Sequence, residues 1–252
     1  RTMDSIPYTP YRQTYDLLWH DTDAARRVRP SAILKYMQET ANCQCAASGY
    51  NLDVLRDTEG VAFLLSQINL RFDAPLYAYD RITVETFCPP SLSYSFNRCF
   101  RILRDGQTVA EASSVWALIR LSDRSFVRAS AFCETHTFPG GAPIPPDALP
   151  HRAHIPASVA LHEAGERRIV YSDLDYNRHM NNTHYPDMLC DFCPDIEPGG
   201  KRVHTLSMNY RREAAAGEVL RILRADEGDT HYFRTQKSDG ETALEAVMTL
   251  CD

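Results

Sequence analysis

The chain has 252 residues, with 27 lysines and arginines against 33 aspartates and glutamates, for a formal charge of −6. That balance argues against non-specific nucleic-acid binding, and no apolar run approaches the ~18 residues of a membrane span. Eight scattered cysteines suit reduced thiols in a cytoplasmic protein rather than a secreted disulfide framework. The opening Arg1-Thr2-Met3-Asp4-Ser5 has no apolar signal-peptide core.

In chain order, a short strand is predicted at 14–19. A helix follows over 30–48. Pro30 suits its first turn, Gly49 its C-terminal cap, and Ile33, Tyr36, Met37, Thr40, Ala41 and Ala47 share one face. Strands are expected at 62–72, 80–87, 93–103 and 108–121. Pro139, Gly140, Gly141, Pro143, Pro145 and Pro146 then crowd together, a density that no helix or central strand survives. A second short strand is expected at 168–171, a helix from near Thr183, and strands at 205–212, 219–226, 230–237 and 242–250. Asp105-Gly106 and Asp239-Gly240 read as hairpin turns, because Asp-Gly supplies positive φ angles.

The two halves repeat each other. Asn69-Leu70-Arg71-Phe72-Asp73-Ala74 parallels Asn209-Tyr210-Arg211-Arg212-Glu213-Ala214. Asp105-Gly106 with Glu111-Ala112 parallels Asp239-Gly240 with Glu245-Ala246, and Asp21-Thr22-Asp23 parallels Asp173-Leu174-Asp175. Three matches in one order point to duplication. The division is a first repeat over 1–137, a linker over 138–166 and a second repeat over 167–252. A long helix followed by an antiparallel meander, twice over, is an α+β arrangement with each helix wrapped by a curved sheet.

The densest polar cluster runs from Ser172 to Asn182. Asp175, Asn177 and His179 alternate, so in an extended segment they share one side. A carboxylate, an amide and an imidazole at a helix N-terminus form a candidate hydrolytic site. The free N–H groups near Thr183 would polarise a carbonyl. Shifting the first half by 152 residues puts Asp23 on Asp175, Ala25 on Asn177 and Arg27 on His179. The first copy lacks the amide and the imidazole, which predicts one active site, in the second half. The broad apolar helix face leaves the first half as the place for a substrate tunnel, with Tyr36, Met37 and Phe63 as its expected walls.

The cluster resembles the D-x-N-x-H-x-N-N signature of the acyl-acyl-carrier-protein thioesterases, which release fatty acids at the end of fatty-acid synthesis. Asn209-Tyr210-Arg211-Arg212-Glu213 resembles that family's second motif, and Gln38-Glu39-Thr40 and Ser113-Ser114-Val115-Trp116 resemble stretches of its first half. The likeness runs from about Tyr11 to Leu250. It implies a tandem hotdog fold and catalytic roles for Asp175, Asn177, His179 and Glu213, with Asn181 and Thr183 beside the substrate. It also implies an acyl carrier protein bearing a fatty acyl-phosphopantetheine as partner, with no cofactor. Plant members carry a Cys directly after the catalytic Glu; here that position is Ala214, so no thiol can act there. The alternatives are an acyl-CoA thioesterase and a non-catalytic acyl-thioester sensor. A homodimer is left open, because a tandem repeat already supplies the pairing that single copies obtain by dimerising.

Other motifs carry less. Asp173-x-Asp175-x-Asn177 opens like a calcium loop but has Arg178 where that loop needs Gly and His184 where it needs Glu. Cys190-x-x-Cys193 has no second pair to complete a zinc set. A Cys–His dyad with His179 is the thiol alternative. Arg26-Arg27-Val28-Arg29, Arg167-Arg168 and Arg211-Arg212 read as solvated patches.

Overall fold

The computed structural model describes residues 10–136, 152–196 and 200–252, so most of the Pro/Gly-rich stretch lies outside the described residues. The first repeat contains β1 (Tyr11–Asp16), α1 (Pro30–Ala47), β2 (Val61–Phe72), β3 (Arg81–Phe87), β4 (Ser95–Arg104), β5 (Gln107–Arg120), β6 (Phe126–Val127) and α2 (Ala129–Cys133). The second contains β7 (His162–Arg168), α3 (Tyr185–Asp191), β8 (Arg202–Tyr210), β9 (Val219–Glu227), β10 (Thr230–Gln236) and β11 (Thr242–Cys251).

All of these strands join one antiparallel sheet in the order β1-β3-β4-β5-β2-β8-β11-β10-β9-β7, with β6 added beside β5. The order reads the same from both ends once each strand is replaced by its repeat equivalent. The repeats meet at β2 and β8, where Gln67 faces Asn209, Ile68 faces Met208 and Asn69 faces Ser207. The repeat that equates Asn69 with Asn209 also equates Ile68 with Met208, so a local pseudo-twofold axis passes between those two residues.

α1 forms where expected. Pro30 lacks an N–H that the first turn would leave unpaired anyway. At the other end Gly49 adopts φ +91°, and Tyr50 N donates to Cys45 O at 3.1 Å, closing the last turn. Ile33, Leu34 and Met37 are fully buried in the core that both repeats share. No helix among the described residues is long and apolar enough to cross a membrane.

Three expectations need correction. The first strand of each repeat ends earlier than predicted, because a carboxylate captures the backbone after it. Asp21 Oδ2 accepts from Leu18 N and Asp173 Oδ2 from Val170 N, both at 2.9 Å, folding Trp19–Asp21 and Tyr171–Asp173 into 3₁₀ turns. β7 therefore begins inside the stretch read as linker; its polar sequence, His162 to Arg168, offers no apolar alternation to detect. The helix expected from near Thr183 is one 3₁₀ turn, Asn182–His184, running into the short α3. Of the two Asp-Gly turns, only Asp105-Gly106 has both residues at positive φ (53° and 76°); in the other, Gly240 alone does.

β7 is held against the end of α3 at a bulge. Gly165 sits there at φ +150°, and a Cβ would lie 2.8 Å from Phe192 Cε1. Gly165→Ala is expected to destabilise the protein by about 1–3 kcal/mol through strain and overpacking. A urea midpoint equal to wild type would show that Phe192 moves away freely.

Candidate active site

The segment from Asp175 to His179 is a tight turn, not an extended strand. Asp175 Oδ1 accepts from Asn177 N at 2.8 Å and His179 N at 3.3 Å, Asp175 N donates to His179 O at 2.9 Å, and Arg178 takes φ +63°. The alternation argument is thereby corrected, because a self-bonding Asp bends the chain back. The first repeat builds the same turn. Asp23 Oδ1 accepts from Ala25 N and Arg27 N, both at 2.9 Å, and Arg26 takes φ +66°. The aspartate is thus a turn-former in both copies, and one oxygen of Asp175 is committed to that work.

Glu213 reaches this loop through the backbone. Met180 N donates to Ala214 O at 2.8 Å, and His179 pairs with Ala215, which zips the segment after β8 onto the turn. Glu213 Oε1 then lies 3.7 Å from His179 Nδ1. In the first repeat, Val28 N donates to Leu76 O at 2.8 Å in the corresponding place. The structural partner of Glu213 is therefore Pro75, not the Asp73 implied by aligning Asn69 with Asn209. Two extra residues follow β2 in the first copy.

Two arginines of the first repeat complete the cluster. Arg124, at φ +61° in the turn after β5, donates to Glu213 Oε2 at 2.8 Å. Arg56, on the π-helical turn Val54–Thr58, donates to Asn177 Oδ1 and lies 4.7 Å over the Tyr176 ring. A guanidinium only donates hydrogen bonds. It therefore fixes the Asn177 amide with its oxygen toward Arg56, leaving the Nδ2 hydrogens for an acceptor in the cleft. Their only sequence signal was a charged residue in a loop, and such residues are mostly solvated.

A cleft of about 260 Å³ opens beside this cluster, lined on the loop side by Asp175, Asn177 and Asn181. The first repeat supplies the other walls. Gln38, Ala41, Asn42 and Cys45 form one stripe of α1 at helical spacing, and Phe63, Phe96 and Trp116 close the apolar side. Phe63, Phe96 and Phe132 meet edge to face with centroids 5.2–5.7 Å apart. Arg98, also on the cleft, ties its strand to the helix and to β3 through Gln44 Oε1 (2.5 Å) and Thr86 Oγ1 (2.9 Å). Gln38 Nε2 donates to Asn182 Oδ1 at 2.7 Å, fastening α1 to the loop after β7 in the other repeat.

Three sequence-predicted contacts are placed elsewhere. Met37 is fully buried in the core, and the Tyr36 hydroxyl donates to Asp21 Oδ2 at 2.6 Å; neither lines the cleft, whereas Phe63 does. The stripe of α1 that lines the cleft sits one residue further round than the most apolar face. Thr183 is buried, and both its N–H and its hydroxyl are used by Asn181 Oδ1 at 3.0 and 2.9 Å. His184 N is likewise used, by Asn181 O at 2.9 Å. These backbone donors are therefore not free to polarise a carbonyl, whereas the Asn177 amide lines the cleft.

Cys190 and Cys193 line a different cleft, on the far side of α3. Burial pushes the Cys190 thiol well above its ordinary value and that of Cys193 to about 11, so neither is a thiolate near neutral pH. Among the described residues, no group of three or more His, Cys, Asp or Glu is disposed to hold a metal. The arginine patches are largely neutralised: Arg27 by Asp23, Arg167 by Asp173 and Asp191, Arg211 by Glu245, Arg212 by Glu241.

Comparison with known proteins agrees with this layout. Residues 9–131 match the acyl-ACP thioesterase N-terminal domain and residues 159–248 the C-terminal domain. The chain belongs to the acyl-ACP thioesterase family. It is 22% identical over 229 residues to a chloroplastic palmitoyl-acyl carrier protein thioesterase of Arabidopsis thaliana, covering 86% of this chain and 55% of that one. The chain thus spans about half the length of the curated relatives it matches. Two solved structures share the fold, which is a tandem hotdog. An acyl-ACP thioesterase from Bacteroides thetaiotaomicron superposes with TM-score 0.84 at 19% identity, over 95% of this chain and 97% of that one. The 12:0-ACP thioesterase of Umbellularia californica gives 0.81 at 17%, over 96% and 97%.

If Arg56 and Arg124 hold Asn177 and Glu213 in place, Arg56→Ala and Arg124→Ala should each lower the thioester turnover number by up to about 10²-fold. KM should change little, and lysine at either position should restore part of the loss. Wild-type turnover in both alanine variants would reduce the two contacts to surface ion pairs.

Proposed function

We propose that the chain hydrolyses the thioester of a fatty acyl-acyl-carrier protein and releases the free fatty acid. The observation that carries this reading is that Asp175 and Asn177 line an apolar-walled cleft, while His179, on the same turn, lies 3.7 Å from Glu213. Water supplies the oxygen that joins the acyl carbon, and the pantetheine sulfur leaves with a proton.

Each residue has a role consistent with its contacts. Asp175 keeps Oδ1 on the turn, so Oδ2 is the atom that attacks the carbonyl directly or takes a proton from water. Asn177 donates Nδ2–H to the oxygen on which negative charge develops. His179, oriented by Glu213, positions the water or moves its proton to the sulfur. The second repeat provides the chemistry, and the first provides the acyl walls and the two arginines. A thiol mechanism receives no support from the raised Cys190 and Cys193, and replacing both with Ser should leave activity largely intact.

The decisive substitution is Asp175→Asn. It keeps an oxygen to accept from Asn177 N and His179 N but removes the charge. A reactive carboxylate predicts a rate loss of ~10²–10⁴-fold with unchanged thermal unfolding; Asp23→Asn should cost no activity. An active Asp175→Asn enzyme would leave Asp175 as a turn-former alone. Thiol release from matched acyl-carrier-protein and acyl-CoA substrates then identifies the carrier, and no release from either would favour an acyl-thioester sensor.

Acyl length follows from the cleft walls. Phe63→Ala should shift preference toward chains longer by a few carbons, since one methylene in an apolar pocket is worth only ~1–3 kcal/mol. Met37→Ala should instead cost ~2–5 kcal/mol of stability through its cavity and leave the product profile unchanged. A profile that moves with Met37 and not with Phe63 would return the tunnel to the opposite face of α1.

A further inference from the structure

The active cleft is not apolar along its whole length. Asn177, Asn181 and Asn182 line it from the loop after β7, and Gln38 and Asn42 line it from α1. Gln38 is bonded to Asn182, so it marks the end of the α1 stripe nearest the reacting turn. Asn42 lies one turn further along, roughly 6 Å by the rise of a helix. Cys45, next on the stripe, already belongs to the apolar cluster of Phe96, with Phe63 and Trp116 packed against it. The wall that α1 offers an acyl chain therefore begins polar and ends apolar.

The way these amides are held decides what they offer. Asn181 Oδ1 accepts from Thr183 N at 3.0 Å and from Thr183 Oγ1 at 2.9 Å. A backbone N–H can only donate, so the amide oxygen faces Thr183 and Nδ2 is left over. Nδ2 makes no hydrogen bond among the described residues, yet it is not one of the closed-off buried atoms, so it keeps accessible surface on a residue that lines the cleft. The same holds for the amide pair beside it. Gln38 Nε2 donates to Asn182 Oδ1 at 2.7 Å, which leaves Gln38 Oε1 as an unused acceptor and Asn182 Nδ2 as an unused donor. Two amides joined by one bond keep one free oxygen and one free N–H₂ whichever of them donates.

A saturated chain laid along this wall would strip water from these groups and leave them unpaired, which is unfavourable. A hydroxyl is the group that matches them, because its oxygen accepts from an N–H₂ while its hydrogen goes to a carbonyl oxygen. The wall also fixes where on the chain that hydroxyl sits. In the mechanism above Asn177 meets the thioester oxygen. Asn181, Asn182 and Gln38 follow, and the hydrocarbon walls begin only after Asn42.

We propose that the cleft selects acyl thioesters bearing a hydroxyl within the first few carbons of the thioester. The hydroxyl oxygen accepts from Asn181 Nδ2 and its hydrogen is donated to Gln38 Oε1, with the tail against Phe63, Phe96 and Trp116. This inference rests on the thioesterase reading and narrows its substrate class. The hydroxyl is bound and not transformed: water still supplies the oxygen that joins the acyl carbon, and the sulfur still leaves with a proton. Asn181 and Gln38 set specificity and take no part in the bond changes.

The test compares matched acyl chains on acyl carrier protein. Wild-type kcat/KM for the 3-hydroxydodecanoyl thioester should exceed that for the dodecanoyl thioester by about tenfold or more. A dodecanoyl chain hydroxylated at its far end, against the apolar cluster, should be the poorest of the three. Asn181→Asp keeps the oxygen that caps Thr183 but removes the N–H₂, and Gln38→Met keeps the length without the amide. Each should bring the ratio of hydroxyacyl to plain chain close to one. The wild-type comparison stands even if a variant does not fold. Equal or faster turnover of the plain chain by wild type overturns the proposal, as does a ratio that survives both substitutions. A loss falling equally on both chains would place the amides on the pantetheine arm or in the scaffold, and overturns it too. Thiol release from none of the three chains would instead remove the thioesterase reading beneath it.

Discussion

Two open sheet edges are closed by one antiparallel pairing, β2 on β8, and the rest of the architecture follows from it. An exposed, unpaired strand edge invites association with other chains. Here each repeat covers the edge of the other, with Ile68 facing Met208 on the local axis. The buried side chains of both halves merge into one core that runs from Met37 and Leu70 to Met208 and Leu244. The pairing also fixes what can meet. It sets the loop of each repeat against the helix and central strand of the other, so both clefts are built across the junction.

The sequence carried much of this, for reasons visible in particular residues. Pro30 and Gly49 bracketed α1, Asp105-Gly106 marked the hairpin it forms, and apolar alternation placed β2 through β5 within two residues. The repeat itself was legible because the paired aspartates keep their backbone roles in both copies. β7 was misplaced because Glu163, Glu166 and Arg168 face solvent at a sheet edge and leave no pattern. The cleft-lining stripe of α1 was not legible because Met37 is more hydrophobic than Ala41 or Asn42, and periodicity reports burial, not which neighbour a face meets. Arg56 and Arg124 were missed because their partners lie more than eighty positions away.

The aspartate of the shared turn separates scaffold from chemistry. Asp23 and Asp175 accept the same two backbone donors, so the turn accounts for an aspartate at either position without any reaction. What differs lies on the rim of the turn: Asn177, His179 and Glu213 in one copy, Ala25, Arg27 and Pro75 in the other. A fold that builds its loop from backbone hydrogen bonds tolerates such replacement, because the rim side chains contribute little to the turn. One copy can then carry an amide, an imidazole and a carboxylate and the other a guanidinium.

The proposed catalytic set is consequently not a property of the second repeat alone. Asn177 is exposed, and an exposed amide rotates unless something selects one orientation. Arg56 selects it by accepting nothing and donating to the oxygen. Glu213 is only about one-third exposed, and Arg124 and His179 approach its two oxygens from opposite repeats. With one oxygen held by a cation, the other has a restricted arc in which to meet the imidazole. Both constraints arise from residues fixed by the first repeat's own turns, at a π-helical turn and at a positive φ. The first repeat therefore holds Asn177 and Glu213 from its own turns, in addition to lining the cleft, and that dependence follows from the same junction that closes the sheet.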